Sequence, residues 1–135
     1  KNYFTYVVTS DGEMNEGQTW EAAAMAAHHK VDHLIAFLDY NKFQLDDATR
    51  VICDMEPVIK KWESFCWHVQ EIDGHDYDQI LGFLLRSRQC TGKPSLAVAN
   101  TIKGFGVSFM AGTQEFHARS LNAEETARAL QELKD

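Results

Sequence analysis

The 135-residue sequence predicts an α/β fold, a mostly parallel sheet with helices on both faces. Three observations carry this. Strand-like and helix-like segments alternate from one end of the chain to the other. Residues 33–39, HLIAFLD, are apolar almost throughout, the mark of a strand covered on both faces. Hydrophobic residues make up 44% of the chain and prolines number two, a composition that builds one core and argues against disorder.

The elements follow in order. Residues 3–9 read as a strand, aromatic and β-branched and apolar to its end. Residues 17–30 read as a helix, with Trp20, Ala23, Ala24 and Ala27 at helical spacing; so much alanine predicts close packing against a neighbour. The apolar run 33–39 is the second strand. After a polar loop, residues 56–65 form a helix with Pro57 in its first turn. Residues 67–72 are the third strand. Asp76 caps a helix reaching about residue 89. Residues 95–101 are the fourth strand, and the glycine-bearing stretch 103–117 is irregular. Asn122 caps a last helix to about residue 133, with Glu125 in capping-box position. No repeat or linker divides the chain, so residues 1–135 read as one domain. Trp62 and Trp67 read as packing residues, and His75 as a turn residue before the Asp76 cap.

Composition narrows the function. A net charge of −7 without a basic stripe argues against nucleic acid as a partner. There is no apolar run of about 18 residues to cross a membrane, and no signal peptide is visible, which leads to the expectation of a cytoplasmic protein. The first residue is Lys1 and a strand follows almost at once, so the chain reads as a piece of something longer. Cys53, Cys66 and Cys90 lack CxxC spacing and read as free thiols in or near the core. His28 and His29 read as ordinary helix residues.

The stretch VVTSDGEMNEGQTWEAAAMAAHH, residues 7–29, draws the functional reading. In an open α/β sheet, ligands bind beyond the carboxyl ends of the strands. Asp11 and Gly12 follow the first strand; Asp39, Tyr40 and Asn41 follow the second. If those strands are neighbours, Asp11 and Asn41 converge. A carboxylate, an amide oxygen and a backbone carbonyl are hard ligands that suit Mg²⁺ or Ca²⁺ rather than zinc. A helix starting just after Asp11 would aim its N–H groups at a phosphate, and Gly12 would let the backbone come close. The plainer alternative is a turn at Asp-Gly and an ordinary loop at 39–41. Either motif alone favours the plain alternative; the two together, each behind a strand, favour the site.

"SDGEMNEGQTWEA" followed by "LDYNKFQLD" resembles the thiamin diphosphate motif, GDG and a later Asn, in the EGxxWEA form of the transketolase family. "WHVQEIDGHDYDQI", "KPSLAVANTIKGFGVSFM" and "EFHAR" are similar to further segments of that family, in the same order. The resemblance spans almost the whole chain and implies the thiamin diphosphate-binding fold, specifically the diphosphate-binding domain of a transketolase or the N-terminal subunit of a split one, without its upstream part. It implies Mg²⁺, with Ca²⁺ as a substitute, held by the side chains of Asp11 and Asn41 and the backbone carbonyl of Phe43. Gly12 would abut the diphosphate, and Lys103 would reach it as a point charge. His117 would face the substrate. Glu16 and Glu21 would join a hydrogen-bonded network between two cofactor sites. Bland alternatives stand beside these: a solvated loop lysine, a surface histidine, and two glutamates favoured by a helix N-terminus.

The implied activity is transfer of a two-carbon ketol unit from a ketose phosphate to an aldose. The glutamate that acts on the aminopyrimidine lies, in the family, on another domain. A partner domain or subunit is therefore implied, in a dimer or heterotetramer, with the Ala-rich helix as a candidate partner surface. The alternative is a non-catalytic interaction module that keeps the fold without the cofactor. Two positions depart from the family pattern: Ser10 and Ala118 both stand where glycine is usual. Ser10 is expected to add a side chain close to the diphosphate.

Overall fold

A computed structural model describes residues 3–45 and 47–134. Four strands, β1 (Thr5–Ser10), β2 (Leu34–Tyr40), β3 (His68–Asp73) and β4 (Ser95–Asn100), form one all-parallel sheet in the order β1-β2-β4-β3. The expected strands are all present, with ends displaced by one or two residues. The central pair, β2 and β4, carries the continuous apolar runs. Ile35, Leu38, Leu96 and Ala97 are fully buried, as strands covered on both faces require.

Helices lie on both faces. Trp20 and Ala23 of α1 (Gly17–His28) and Val58 and Trp62 of α3 (Val58–Ser64) pack on one face, over Ala36, Leu38, Leu96 and Val98. On the other face, α4 (Tyr77–Ser87) sets Phe83 against Ile35, Ile72, Ala97 and Ala99. The tryptophans bind the first face together. Trp62 meets Trp67 edge-on with centroids 5.0 Å apart. The Trp67 indole N–H donates to the Ala23 carbonyl at 3.0 Å, and that of Trp20 to the Met14 carbonyl at 2.7 Å. Trp62 and Trp67 are thus packing residues, with Trp67 also tied to α1.

Asp76 caps α4, accepting from the backbone N–H groups of Asp78 and Gln79. Asn122 and Glu125 form the capping box of α5 (Ala123–Glu132). Arg119 pairs with Glu125 at 2.8 Å, and this holds the Glu125 carboxyl down at about 2. Residues 103–117 contain no helix or strand.

Three features differ from expectation. Two short elements lie where the residue pattern predicts only turn or loop: a 3₁₀ turn, Gly12–Asn15, and α2 (Thr49–Ile52). The cysteines do not lie in the core. Cys53 and Cys66 are exposed and Cys90 is partly buried, all as free thiols. Cys66 occupies the turn that leaves α3, with φ of 65°, so its side chain stands outside the packed face. In α1, Trp20, Ala23 and Ala27 pack on the core as expected, with Ala26 beside them, but Ala24 is exposed and Met25 is 55% exposed. Among the described residues no helix is long and apolar enough to cross a membrane.

Leu38 of β2 is wholly buried and packs in the tryptophan-rich cluster. Leu38→Ala should cost about 2–5 kcal/mol, read as a lower urea midpoint with an unchanged slope.

Candidate functional site

The site is assembled by strand pairing. β1 and β2 run parallel and adjacent, in a register that sets Ser10 opposite Asp39. The chain therefore leaves both strands at the same level, and the Asp11 N–H donates to the Asp39 carbonyl at 3.3 Å. Asp11 follows β1 directly and has no solvent exposure.

The chain after β2 then bends back over Asp11. Lys42 adopts φ of 69°, a left-handed conformation that costs a non-glycine residue about 1–3 kcal/mol. Its backbone N–H consequently donates to Asp11 Oδ2 at 2.5 Å. Asn41 Oδ1 accepts from the Phe43 N–H at 3.0 Å, and Phe43 is bridged to Ala48. The Lys42 carbonyl accepts from the Thr49 N–H at 3.0 Å, so α2 anchors the far side of this loop.

The second oxygen of Asp11 is the informative atom. Asp11 Oδ1 is buried and has no hydrogen-bond partner among the described residues. Desolvation raises the Asp11 pKa to about 6, against the lowering effect of the Lys42 and Gly12 N–H groups and with a smaller raising contribution from the neighbouring Asp39 carboxylate. A buried carboxylate with one clamped oxygen and one unpaired oxygen is unfavourable when ionised unless a proton or a cation completes it. An Asp oxygen, an Asn amide oxygen and a backbone carbonyl are donor types that suit a hard divalent ion.

The Ser10 side chain is engaged within its own turn. Its hydroxyl donates to Glu13 Oε2 at 3.0 Å and accepts from the Glu13 N–H at 3.4 Å, while its own N–H donates to the same carboxylate at 2.8 Å. This reciprocal box stabilises the 3₁₀ turn that begins at Gly12 and lowers the Glu13 pKa. The added side chain is thus engaged in holding the Asp11 loop. The longer helix α1 begins only at Gly17, so the backbone nearest Asp11 is the 3₁₀ turn.

Two cavities adjoin these loops. The smaller, about 280 Å³, is lined by Ser10, Gly12, Glu16, Asn41, Phe43 and His117. A Cβ on Gly12 would stand 3.6 Å from Gln44 Cγ and 3.9 Å from Ser10 Oγ. The larger, about 650 Å³, is shared by Asn41, Lys42, Phe43 and Lys103. Asn41 and Phe43 border both, so Gly12, Glu16, His117 and Lys103 gather around one strand-end loop. Asp11 lines neither cavity, whereas its neighbours Ser10 and Gly12 do. Glu21 is exposed on α1 and lines neither. The Lys103 loop is held by its own carbonyl, which accepts from the Gly112 N–H at 2.8 Å. Sequence reasoning misses the Lys42 N–H, a backbone group that leaves no signature in residue type. It also misses the tie from the Thr101 hydroxyl to the Asp39 carboxylate, which joins the ends of β2 and β4.

Known proteins share this arrangement of strands and loops. Residues 1–134 match the family model for the transketolase thiamine diphosphate binding domain. The chain belongs to that family. It is 47% identical over 128 residues to the 6-deoxy-6-sulfo-D-fructose transketolase subunit SqwG of Clostridium sp. (strain MSTE9), covering 95% of this chain and 46% of that one. It is 45% identical over 130 residues to an apulose-4-phosphate transketolase subunit of Actinobacillus succinogenes, covering 96% and 47%. The fold superposes on the crystal structure of transketolase from Campylobacter jejuni with a TM-score of 0.91 at 27% identity, covering 98% of this chain and 21% of that one. The chain thus spans about half the length of these two curated relatives.

The raised Asp11 pKa sets a pH dependence. The folded protein binds this proton more tightly than the unfolded chain does, so between pH 3.8 and about 6 the native state holds more protons. The Asp11 contribution to stability is therefore greatest below pH 3.8, declines as pH rises to about 6, and is flat above. Urea denaturation across this range in a chelator should show that decline, and Asp11→Asn should remove it.

Proposed function

We infer that this chain forms a single diphosphate- and metal-binding domain of an enzyme that transfers a two-carbon ketol unit from a ketose phosphate to an aldose. The observation that carries the reading is Asp11, a fully buried carboxylate with one oxygen bonded to the Lys42 N–H of the loop that bears Asn41 and the other without a partner among the described residues. When bound, thiamin diphosphate supplies the electron sink that lets a C–C bond beside a carbonyl break.

The chain's own residues have separable tasks. Asp11 and Asn41, with the Phe43 carbonyl, hold Mg²⁺; Lys42 keeps Asp11 turned for that purpose through its N–H. Gly12 keeps the wall of the smaller cavity low beside the diphosphate. Lys103 adds positive charge near the same phosphate oxygens. His117, exposed at the smaller cavity, meets the sugar hydroxyls near the reacting carbon. Glu16 and Glu21 join a hydrogen-bonded network that runs to a second cofactor site.

The domain acts with an aminopyrimidine-binding partner, as a domain of the same longer protein or as a separate subunit, in a dimer or heterotetramer. The relatives named as transketolase subunits, and the coverage of about half their length, support this arrangement. Those names, one for a sulfo-sugar and one for a sugar phosphate, support a donor ketose with an anionic end. A cytoplasmic location is in keeping with such a substrate.

Titration calorimetry of the complete protein with thiamin diphosphate tests the site. Binding should require Mg²⁺, and Asp11→Ala should weaken it on the order of 100-fold or more, since a charged ligand in a water-poor site contributes a few kcal/mol. Metal-dependent binding of unchanged affinity in Asp11→Ala would remove the assignment.

A further inference from the structure

The turn between β3 and α4, Asp73-Gly74-His75-Asp76, has no part in the site described above, yet it grips the loop that carries Lys103. Nε2 of His75 accepts a hydrogen bond from the Ile102 N–H at 2.8 Å. The imidazole also stacks on Phe105, with centroids 3.8 Å apart and planes 16° from parallel. One contact falls just before Lys103 and the other two residues after it.

This contact depends on a close approach that the sequence provides. The Gly74 N–H donates to the Asn100 carbonyl at 2.8 Å. A Cβ on Gly74 would lie 2.4 Å from Thr101 Cγ2 and 3.1 Å from the Asn100 carbonyl oxygen, so a larger residue would push the turn away. The backbone of His75 is held in turn: its main-chain N–H donates to Asp73 Oδ1 at 2.9 Å, and the following Asp76 caps α4. On the other side of the loop, Gly104 has φ of 72°, and a Cβ there would lie 2.7 Å from the Met110 backbone. Lys103 therefore stands on a main chain fixed from two sides, by Met110–Gly112 and by the imidazole. Because Nε2 accepts, it carries no proton, and the neutral ring keeps its proton on Nδ1.

We propose that His75 is a positioning residue for Lys103, setting the course of the loop from which the ammonium reaches the diphosphate. This rests on the assignment of Lys103 made under Proposed function. His75 touches neither cofactor nor substrate; it acts through the Ile102 N–H and the Phe105 ring. A flexible four-carbon stem aims poorly unless its backbone is held, and the hydrogen bond and the stack supply that restraint.

The test is calorimetric titration of the complete protein, partner subunit included, with pyrophosphate in saturating Mg²⁺. His75→Ala should weaken pyrophosphate about tenfold, the worth of one well-formed hydrogen bond. Added to Lys103→Ala it should weaken binding no further, because its effect runs through that ammonium. His75→Gln, whose Oε1 offers an acceptor to the Ile102 N–H, should restore most of the affinity. A histidine that only supported the fold would weaken binding equally in both backgrounds. Unchanged affinity in His75→Ala beside a weakened Lys103→Ala, or additive losses in the double variant, would overturn this inference alone. Unchanged affinity in Lys103→Ala would remove the phosphate role of Lys103, and the inference with it. Should His75→Ala fail to fold, Phe105→Leu carries the same test at a ring that is 58% exposed: a severalfold loss is expected, and none would overturn the proposal.

Discussion

The parallel pairing of β1 with β2 fixes everything that happens at the carboxyl edge of this sheet. With Ser10 opposite Asp39, the chain leaves both strands at one level, and Asp11 lies wholly inside the fold. A carboxylate in that position must be compensated. The Lys42 N–H compensates one oxygen, at the cost of a left-handed residue in the loop after β2. The other oxygen has no hydrogen-bond partner among the described residues. A shift of one residue in the β1–β2 register would turn Asp11 to the opposite face and dismantle the arrangement.

The remaining strand ends are tied to this centre one by one. Thr101, just past β4, donates its hydroxyl to Asp39, just before the end of β2. Ile102 donates to His75, just past β3. Each tie joins one loop to its neighbour, so the loop after β2, the loop bearing Lys103 and the β3–α4 turn form a continuous rim. The edge strand β1 is the contrasting element. Val8 is 75% exposed and Tyr6 49%, so β1 is held mainly by its single hydrogen-bonded neighbour and by the box between Ser10 and Glu13.

Much of this is legible in the residues. Apolar runs such as LIAFLDY and SLAVAN mark buried parallel strands because neither face needs polar side chains. Asp76 and Asn122 mark helix starts because their side chains satisfy backbone donors. What the residues do not reveal has physical reasons. The Gly12–Asn15 turn is too short to show a helical period, and its Asp-Gly opening is also a turn signal. The short helix Thr49–Ile52 lies in a polar loop with exposed Val51 and Ile52. Cysteine is a residue type that favours the core, whereas Cys53 and Cys66 stand on loop positions turned to solvent. Backbone donors such as the Lys42 N–H are invisible to side-chain reasoning. His75 reads as a turn residue because its role depends on Gly74 letting the turn come down onto Thr101, a contact between segments far apart in sequence.

The most direct measurement is the location of a divalent ion, by anomalous scattering from crystals of the complete protein grown with Mn²⁺ and thiamin diphosphate. A manganese peak about 2.1 Å from Asp11 Oδ1 and from the side-chain oxygen of Asn41 is the expected result, with phosphate oxygens filling further positions of an octahedron. A cofactor and metal bound elsewhere, with Asp11 Oδ1 still partnerless or satisfied by a protein donor, would contradict it.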